Sequence, residues 1–201
     1  IIFKSNLKNI DLNLNSSNRS SEKFDNKIRY NQNLLTGCLT IIDSKLDDVS
    51  ISSNGTGCED DINIFRSSGN INDISIKNSD YDSIDFDYSN LTIKNVNIKN
   101  AGNDCLDFSF GNILIEKVYV ESCKDKGISV GEKTKFVGFK INVVSSKTGV
   151  ANKDGSISYI KEMKVNDVDV CFENYQKKQE FDMGFLNFVK SNCKSKDIIN
   201  L

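Results

Sequence analysis

Apolar and polar residues alternate along most of this chain in runs too short for helices, and the runs recur in the same order. One stretch reads Leu91-Thr92-Ile93, Val96-Asn97-Ile98 and Leu106-Asp107-Phe108; the next reads Ile113-Leu114-Ile115, Val118-Tyr119-Val120 and Ile128-Ser129-Val130. Apolar, polar, apolar is the signature of a strand with one buried face. The quartets Asp61-Ile62-Asn63-Ile64, Ser83-Ile84-Asp85-Phe86, Cys105-Leu106-Asp107-Phe108, Gly127-Ile128-Ser129-Val130 and Gly149-Val150-Ala151-Asn152 begin at one period of 22 residues, four times running. A repeat of this size cannot bury its apolar face alone and stacks on its neighbours. The expected fold is therefore all-β: a single-stranded, right-handed parallel β-helix of about nine coils of about 22 residues, with three short strands per coil.

The phasing divides the chain into parts of one domain spanning 1–201. Residues 1–36 are expected to form an irregular N-terminal coil or cap with a polar loop at Asn15-Ser16-Ser17-Asn18-Arg19-Ser20-Ser21. Residues 37–173 form the regular coils, with an insertion around Asn54-Gly55-Thr56-Gly57. Residues 174–201 form a loop and a C-terminal coil or cap. There Phe185-Leu186-Asn187-Phe188 alternates like a strand, with a helical cap at 185–193 as the competing reading, since the end of the stack needs cover.

Composition narrows the picture. The 201 residues, 38% of them hydrophobic, suit one domain, and the absence of Pro suits strands that need every N–H. Corners fall at Asn, Ser, Asp and Gly, as in Ser89-Asn90, Lys99-Asn100 and Gly111-Asn112. A net charge of −2 with dispersed Lys argues against a nucleic-acid partner, and the lack of a long apolar run argues against membrane insertion. The start at Ile1 suggests a processed product or a segment of a longer protein with further domains. The sequons at Asn15, Asn18, Asn54 and Asn90 carry no weight in a chain so rich in Asn and Ser.

Of the six Cys, Cys105 and Cys171 share a phase but lie three coils apart, about 14 Å and out of disulfide reach. Cys171 and Cys193 are one period apart and can meet if the register holds. Most of the six are expected to be buried thiols, and the redox compartment stays open. With no CxxC pair and no His, a zinc site is disfavoured.

Superimposing coils by the period converts sequence into columns. One outward column reads Asn63, Asp85, Asp107, Ser129, Ala151, Glu173; another reads Asp60, Asp82, Asp104, Lys126, Thr148. Asp85 and Asp107 are then expected about 5 Å apart, as are Asp82 and Asp104. Such repulsion needs relief, by Lys126 capping the Asp104 column, by a bound cation such as Ca²⁺, or by raised carboxyl pKa values. The pair also suits retaining glycoside hydrolysis; the competing reading is an acidic, solvated face. In the following turn Glu132, Lys153, Asp154, Tyr175 and Lys177 converge on one edge, as a sugar-binding strip or as soluble corners.

The segments Gly102-Asn103-Asp104-Cys105-Leu106-Asp107-Phe108-Ser109, Asp125-Lys126-Gly127-Ile128-Ser129-Val130-Gly131-Glu132, Gly149-Val150-Ala151-Asn152-Lys153-Asp154-Gly155-Ser156 and Tyr175-Gln176-Lys177-Lys178-Gln179-Glu180-Phe181 resemble successive coils of the pectin-lyase-like superfamily. In particular they resemble the β-helix regions found with spore-coat-H-like kinase domains and in bacterial surface-polysaccharide systems. The resemblance covers about 80–181. It implies an extracellular or cell-envelope setting and a polysaccharide partner. Such proteins include lyases, hydrolases and epimerases of acidic polysaccharides, which use a Ca²⁺-holding carboxylate cluster with an Arg or Lys base, or a His, Tyr and acid set. This chain lacks His, and Arg19, Arg29 and Arg66 lie outside the matching coils.

Two functions follow as expectations. One is a carbohydrate-active enzyme on an acidic glycan. Asp82, Asp85, Asp104 and Asp107 would be its acid or metal groups, with Asp85 and Asp107 as the Ca²⁺ pair. Lys126 or Lys153 would be the base if its surroundings lower its pKa, and Glu132, Asp154, Tyr175, Gln176 and Lys177 would hold substrate. The other is a non-catalytic glycan-binding or spacer module of a larger surface protein.

Overall fold

A computed structural model describes residues 1–15, 29–194 and 198–200. The expected polar loop falls almost wholly outside these residues, as do Arg19 and the sequon at Asn18. No helix occurs among the described residues. Three short strands, β1 (Ile2–Phe3), β2 (Asn6–Lys8) and β3 (Asp11–Leu14), precede β4 (Gly37–Ile42), β5 (Lys45–Asn54), β6 (Asp60–Phe65) and β7 (Ser68–Ser79). Then come β8 (Asp82–Ala101), β9 (Leu106–Gly131), β10 (Lys135–Lys153), β11 (Ile157–Tyr175), β12 (Phe185–Ser191) and β13 (Ile198–Asn200).

Every pairing is parallel and runs to the next turn of the stack, in the order β1-β4-β6-β8-β9-β10-β11-β12. The molecule is a parallel β-solenoid with about six stacked turns. The count falls short of nine because the described residues before Gly37 contribute β1–β3 and those after Tyr175 first form a loop. The short strands expected within a coil merge, since pairing continues around the corners; β9 alone spans 26 residues. Residues 185–191 are strand β12, parallel to β11, rather than a helical cap.

Columns of identical phase build the core. Ile62, Ile84, Leu106, Ile128, Val150 and Phe172 stack with no exposed area, each burial contributing about 1.5–3 kcal/mol. Beside them Phe86, Phe108 and Phe136 pack at centroid separations of 5.4 and 5.3 Å. The same inward column turns polar at Asn152, whose Nδ2 donates to Asn174 Oδ1 at 2.8 Å; Asn174 Nδ2 in turn donates to the Gly184 carbonyl at 2.9 Å. The amide ladder thus satisfies its own buried groups and ties down the loop after β11. At one corner a serine ladder does the same work: the backbone N–H of Ser44 donates to Ser67 Oγ (3.1 Å) and that of Ser67 to Ser89 Oγ (3.0 Å). The ladder ends at Gly111 (φ 86), where a Cβ would meet the Ser89 carbonyl at 2.1 Å.

The cysteines correct the sequence reading. All six form disulfides, Cys38–Cys58, Cys105–Cys123 and Cys171–Cys193, with Cα separations of 5.5, 5.5 and 6.0 Å. In-phase residues were the wrong place to look for two of the three. Cys123 pairs in register with Ala101, four residues before Cys105, so the bridge joins a corner of one turn to the strand start of the turn before. Three disulfides weigh toward an oxidising compartment.

Candidate functional site: two carboxyl columns on one face

Register places the predicted columns as drawn. Asn63 pairs with Asp85 and Asp85 with Asp107, while Asp60 pairs with Asp82. Farther along, Ser129 pairs with Ala151, Ala151 with Glu173, and Lys126 with Thr148. Neighbouring carboxyls in each column are therefore held one strand spacing apart, about 4.8 Å.

In the first column the acids are buried and linked through the backbone. Asp82 Oδ1 accepts from the N–H of Asp104 (2.7 Å) and from Asn103 Nδ2 (2.8 Å). Asp104 Oδ1 repeats the motif one turn on, accepting from the N–H of Lys126 at 2.9 Å. Lys126 Nζ lies 3.5 Å from Asp104 and pairs with Asp125. Burial pushes Asp82 up to about 8, helped by the Asp104 charge. Burial likewise raises Asp60 to about 7 and Asp104 to about 6, the latter held back by Lys126 and Lys153.

In the second column Asp85 and Asp107 are half-buried and less well satisfied. Asp85 Oδ1 and Asp107 Oδ1 are shielded from solvent and make no hydrogen bond, and Asp60 Oδ2 in the first column is in the same position. Burial and the facing charge of Asp107 push Asp85 well above the ordinary carboxylate value. Asp107 is also raised by burial, but Lys153 and the Ser129 hydroxyl oppose the shift. Asp87, beyond Asp85, accepts from Asn63 Nδ2 at 3.0 Å and is raised by burial.

Two of the three expected forms of relief have support: Lys126 lies against the Asp104 carboxyl, and burial raises the carboxyl pKa values. No group of three or more His, Cys, Asp or Glu side chains among the described residues is placed to hold a metal.

The two lysines are ammonium partners. Lys153 is 5% exposed, and its Nζ donates to Ser129 Oγ at 2.7 Å. Burial alone would lower its pKa, but Asp107, Asp104 and Glu132 outweigh that, and the net shift is upward. Lys126 is raised for the same reason by Asp104 and Asp125. Both shifts run opposite to the lowering that a neutral lysine base requires.

The edge residues divide in role. Glu132 accepts from Ser109 Oγ (2.7 Å) and pairs with Lys178 (2.5 Å); burial pushes its carboxyl up, but these partners hold it below its usual value. Tyr175 is half-buried, and burial raises its phenol. Asp154 is wholly buried, and its Oδ1 accepts from the N–H groups of Lys177 and Lys178, both at 2.7 Å. Gln176 Nε2 donates to the Phe181 carbonyl at 2.5 Å. Asp154 and Gln176 thus shape the 176–184 loop, while Glu132 and Tyr175 face the columns. Lys177 is exposed on that loop.

Sequence reasoning passed over Asp60, Asp87, Ser129 and Lys178 as site residues. The first three stood at column or turn positions that the period already aligned. Lys178 stood at the end of the last aligned turn, and its pairing with Glu132 spans two turns. A separate groove of about 480 Å³, lined by Asn78, Asp80, Asn100, Ser122, Lys124 and Ser145, opens at another corner and contains none of the column carboxyls. No known family model matches the chain, and no curated protein or solved structure matches it either. The site must speak through its own chemistry.

Proposed function

We propose that the protein acts on a polysaccharide at the paired columns, by acid–base hydrolysis of a glycosidic bond. The observation carrying this is the in-register pair Asp85 and Asp107, equal in type but unequal in surroundings. Burial and the charges of Asp107, Asp87, Asp60 and Asp82 raise Asp85 well above the ordinary carboxylate value and make it the acid of the pair; Asp107 has Lys153 and Ser129 opposing its own rise and is the better carboxylate. Two carboxyls about 5 Å apart, one acid and one anion, are what a retaining glycosidase needs.

The steps balance on these two groups. Asp85 gives its proton to the leaving glycosidic oxygen as the bond to the anomeric carbon breaks, and Asp107 takes that carbon as an ester. Asp85, now a carboxylate, then removes a proton from water, which cleaves the ester and restores both groups. Asp82 and Asp104 set the field, and Lys126 keeps the first column from accumulating charge. The disulfides suit the proposed extracellular or envelope setting.

The test is incubation with a panel of neutral and uronate polysaccharides while monitoring reducing ends. Product that is lost with both Asp85→Asn and Asp107→Asn supports the reading. Product that survives Asp107→Asn contradicts it, and binding without product favours a non-catalytic module. An acidic glycan would need cations turned toward it, whereas Lys126 is paired with Asp104 and Asp125, Lys153 with Ser129, and Lys178 with Glu132.

A further inference from the structure

The groove that opens away from the carboxyl columns is built from three consecutive residues on each of three successive turns. Ser79, Ala101 and Cys123 stand in register and form its buried floor. Asn78, Asn100 and Ser122, continued by Ser145, flank the floor on one side, all at positive φ between 52° and 62°. Asp80, Gly102 and Lys124 flank it on the other. Positive φ favours short polar side chains, and this corner follows that preference. The corner at Tyr88 and Phe110 has the same backbone but carries two rings stacked on each other at 4.3 Å.

Two features fix the shape of the groove. Cys105–Cys123 ties the segment after Gly102 to the floor. On the opposite side the amides form a ladder, in which Asn78 Nδ2 donates to Asn54 Oδ1 at 3.1 Å and Asn100 Nδ2 donates to Asn78 Oδ1 at 3.0 Å. An amide has two N–H donors and an oxygen with two lone pairs. Asn100 therefore keeps a second N–H and its Oδ1 without a partner among the described residues, and the Ser122 hydroxyl has none there either. Asp80 and Lys124 are both exposed and make no ion pair among the described residues, so the groove carries one charge of each sign.

This chemistry narrows the occupant. The backbone beside the floor already pairs between turns, the Gly102 N–H with the Ser79 carbonyl at 3.0 Å and the Asn103 N–H with the Tyr81 carbonyl at 3.1 Å, so a peptide strand has no edge to join. One lysine is too little for a phosphate chain. Groups that both donate and accept, repeated one turn apart at about 4.8 Å, match hydroxyls repeated along a polymer. We propose that the groove is a carbohydrate site distinct from the carboxyl columns, in which a neutral polysaccharide lies along the solenoid with its hydroxyls on Asn100 and Ser122. Its volume of about 480 Å³ is that of a ligand cleft, and its fixed walls lower the ordering cost of binding. This rests on the glycan reading above and narrows its substrate class, because a uronate chain would meet Lys124 alone, with Asp80 opposing it.

The test uses affinity electrophoresis of the full chain through gels holding a β-glucan, a xylan or polygalacturonate. The variants are the double substitution Asn100→Gly with Ser122→Gly, the conservative Ser122→Asn, and Asp107→Asn. Glycine suits both left-handed positions, so the double variant should keep its melting temperature while losing the amide and the hydroxyl. Retention by a neutral polymer that weakens at least tenfold in the double variant and persists in Ser122→Asn and Asp107→Asn supports the groove. Unchanged retention in the double variant overturns the groove and leaves the glycan reading standing. Stronger retention by polygalacturonate overturns the neutral class. If no polymer retains the native protein the groove proposal falls, and reducing ends released from the same polymers then decide the glycan reading separately.

Discussion

Asp61 and Asp107 are both carboxylates removed from most solvent, yet the molecule treats them oppositely. Asp61 points inward and accepts from the Thr56 N–H (3.0 Å) and from the hydroxyls of Thr56 (2.6 Å), Ser53 (3.0 Å) and Ser79 (3.1 Å). Asp107, like Asp85 beside it, has a shielded oxygen with no donor and faces another acid. The first arrangement welds the 54–59 insertion to the core. The second stores unfavourable charge in a place where relaxing it would change no packing. Burial of a charge is thus a poor guide to its role; the number of donors it commands is a better one.

The contrast is sharpened most by Asp61→Ala, which should cost about 3 kcal/mol in chemical denaturation by stranding the buried Thr56 N–H and its hydroxyl companions. Lys153→Met comes next. It should cost roughly 1–2 kcal/mol near pH 7, and the loss should shrink in an Asp107→Asn background if the two charges compensate one another. Asp85→Asn alone should be neutral or stabilising by up to about 1 kcal/mol because it relieves repulsion, whereas Asp107→Asn also removes the partner of buried Lys153 and should cost about 1 kcal/mol. A loss as large as that of Asp61→Ala would erase the distinction.

The pH dependence sums over several groups and tests the first column as a whole. Asp60, Asp82 and Asp104 are raised from the ordinary 3.8 to about 7, 8 and 6, so between about 4 and 8 the folded chain binds more protons than the unfolded one. Stability from these groups is fully present below the unfolded value and declines as pH rises through the folded values. Melting temperature should therefore fall from pH 5 to pH 8, and Asp82→Asn should flatten that slope. A melting temperature that rises across this interval would contradict the shared burial of the column.

The solenoid and its columns were readable because side chains alternate with period two and turns repeat with period 22, so the register of Asp85 on Asp107 followed from counting. Features off the phase were not readable. Cys105–Cys123 joins residues 18 apart across a corner, which column logic never aligns. Asp154 sits in line with the polar edge but turns inward to hold the N–H groups of Lys177 and Lys178. The Tyr88–Phe110 stack stands on residues that a turn reading expects to be Gly or Asn. The lysine pKa values depended on how many acids surround each ammonium, a three-dimensional count.

The account turns on whether the stacked carboxyls share protons near neutrality. Carbon-13 NMR of the aspartate side-chain carboxyls, titrated from about pH 3 to pH 9, reads this directly. The expected result is that Asp85 loses its proton well above the ordinary range, in a step coupled to Asp107 and displaced by Asp107→Asn. Independent titration of both near the ordinary aspartate value would contradict the paired-column site.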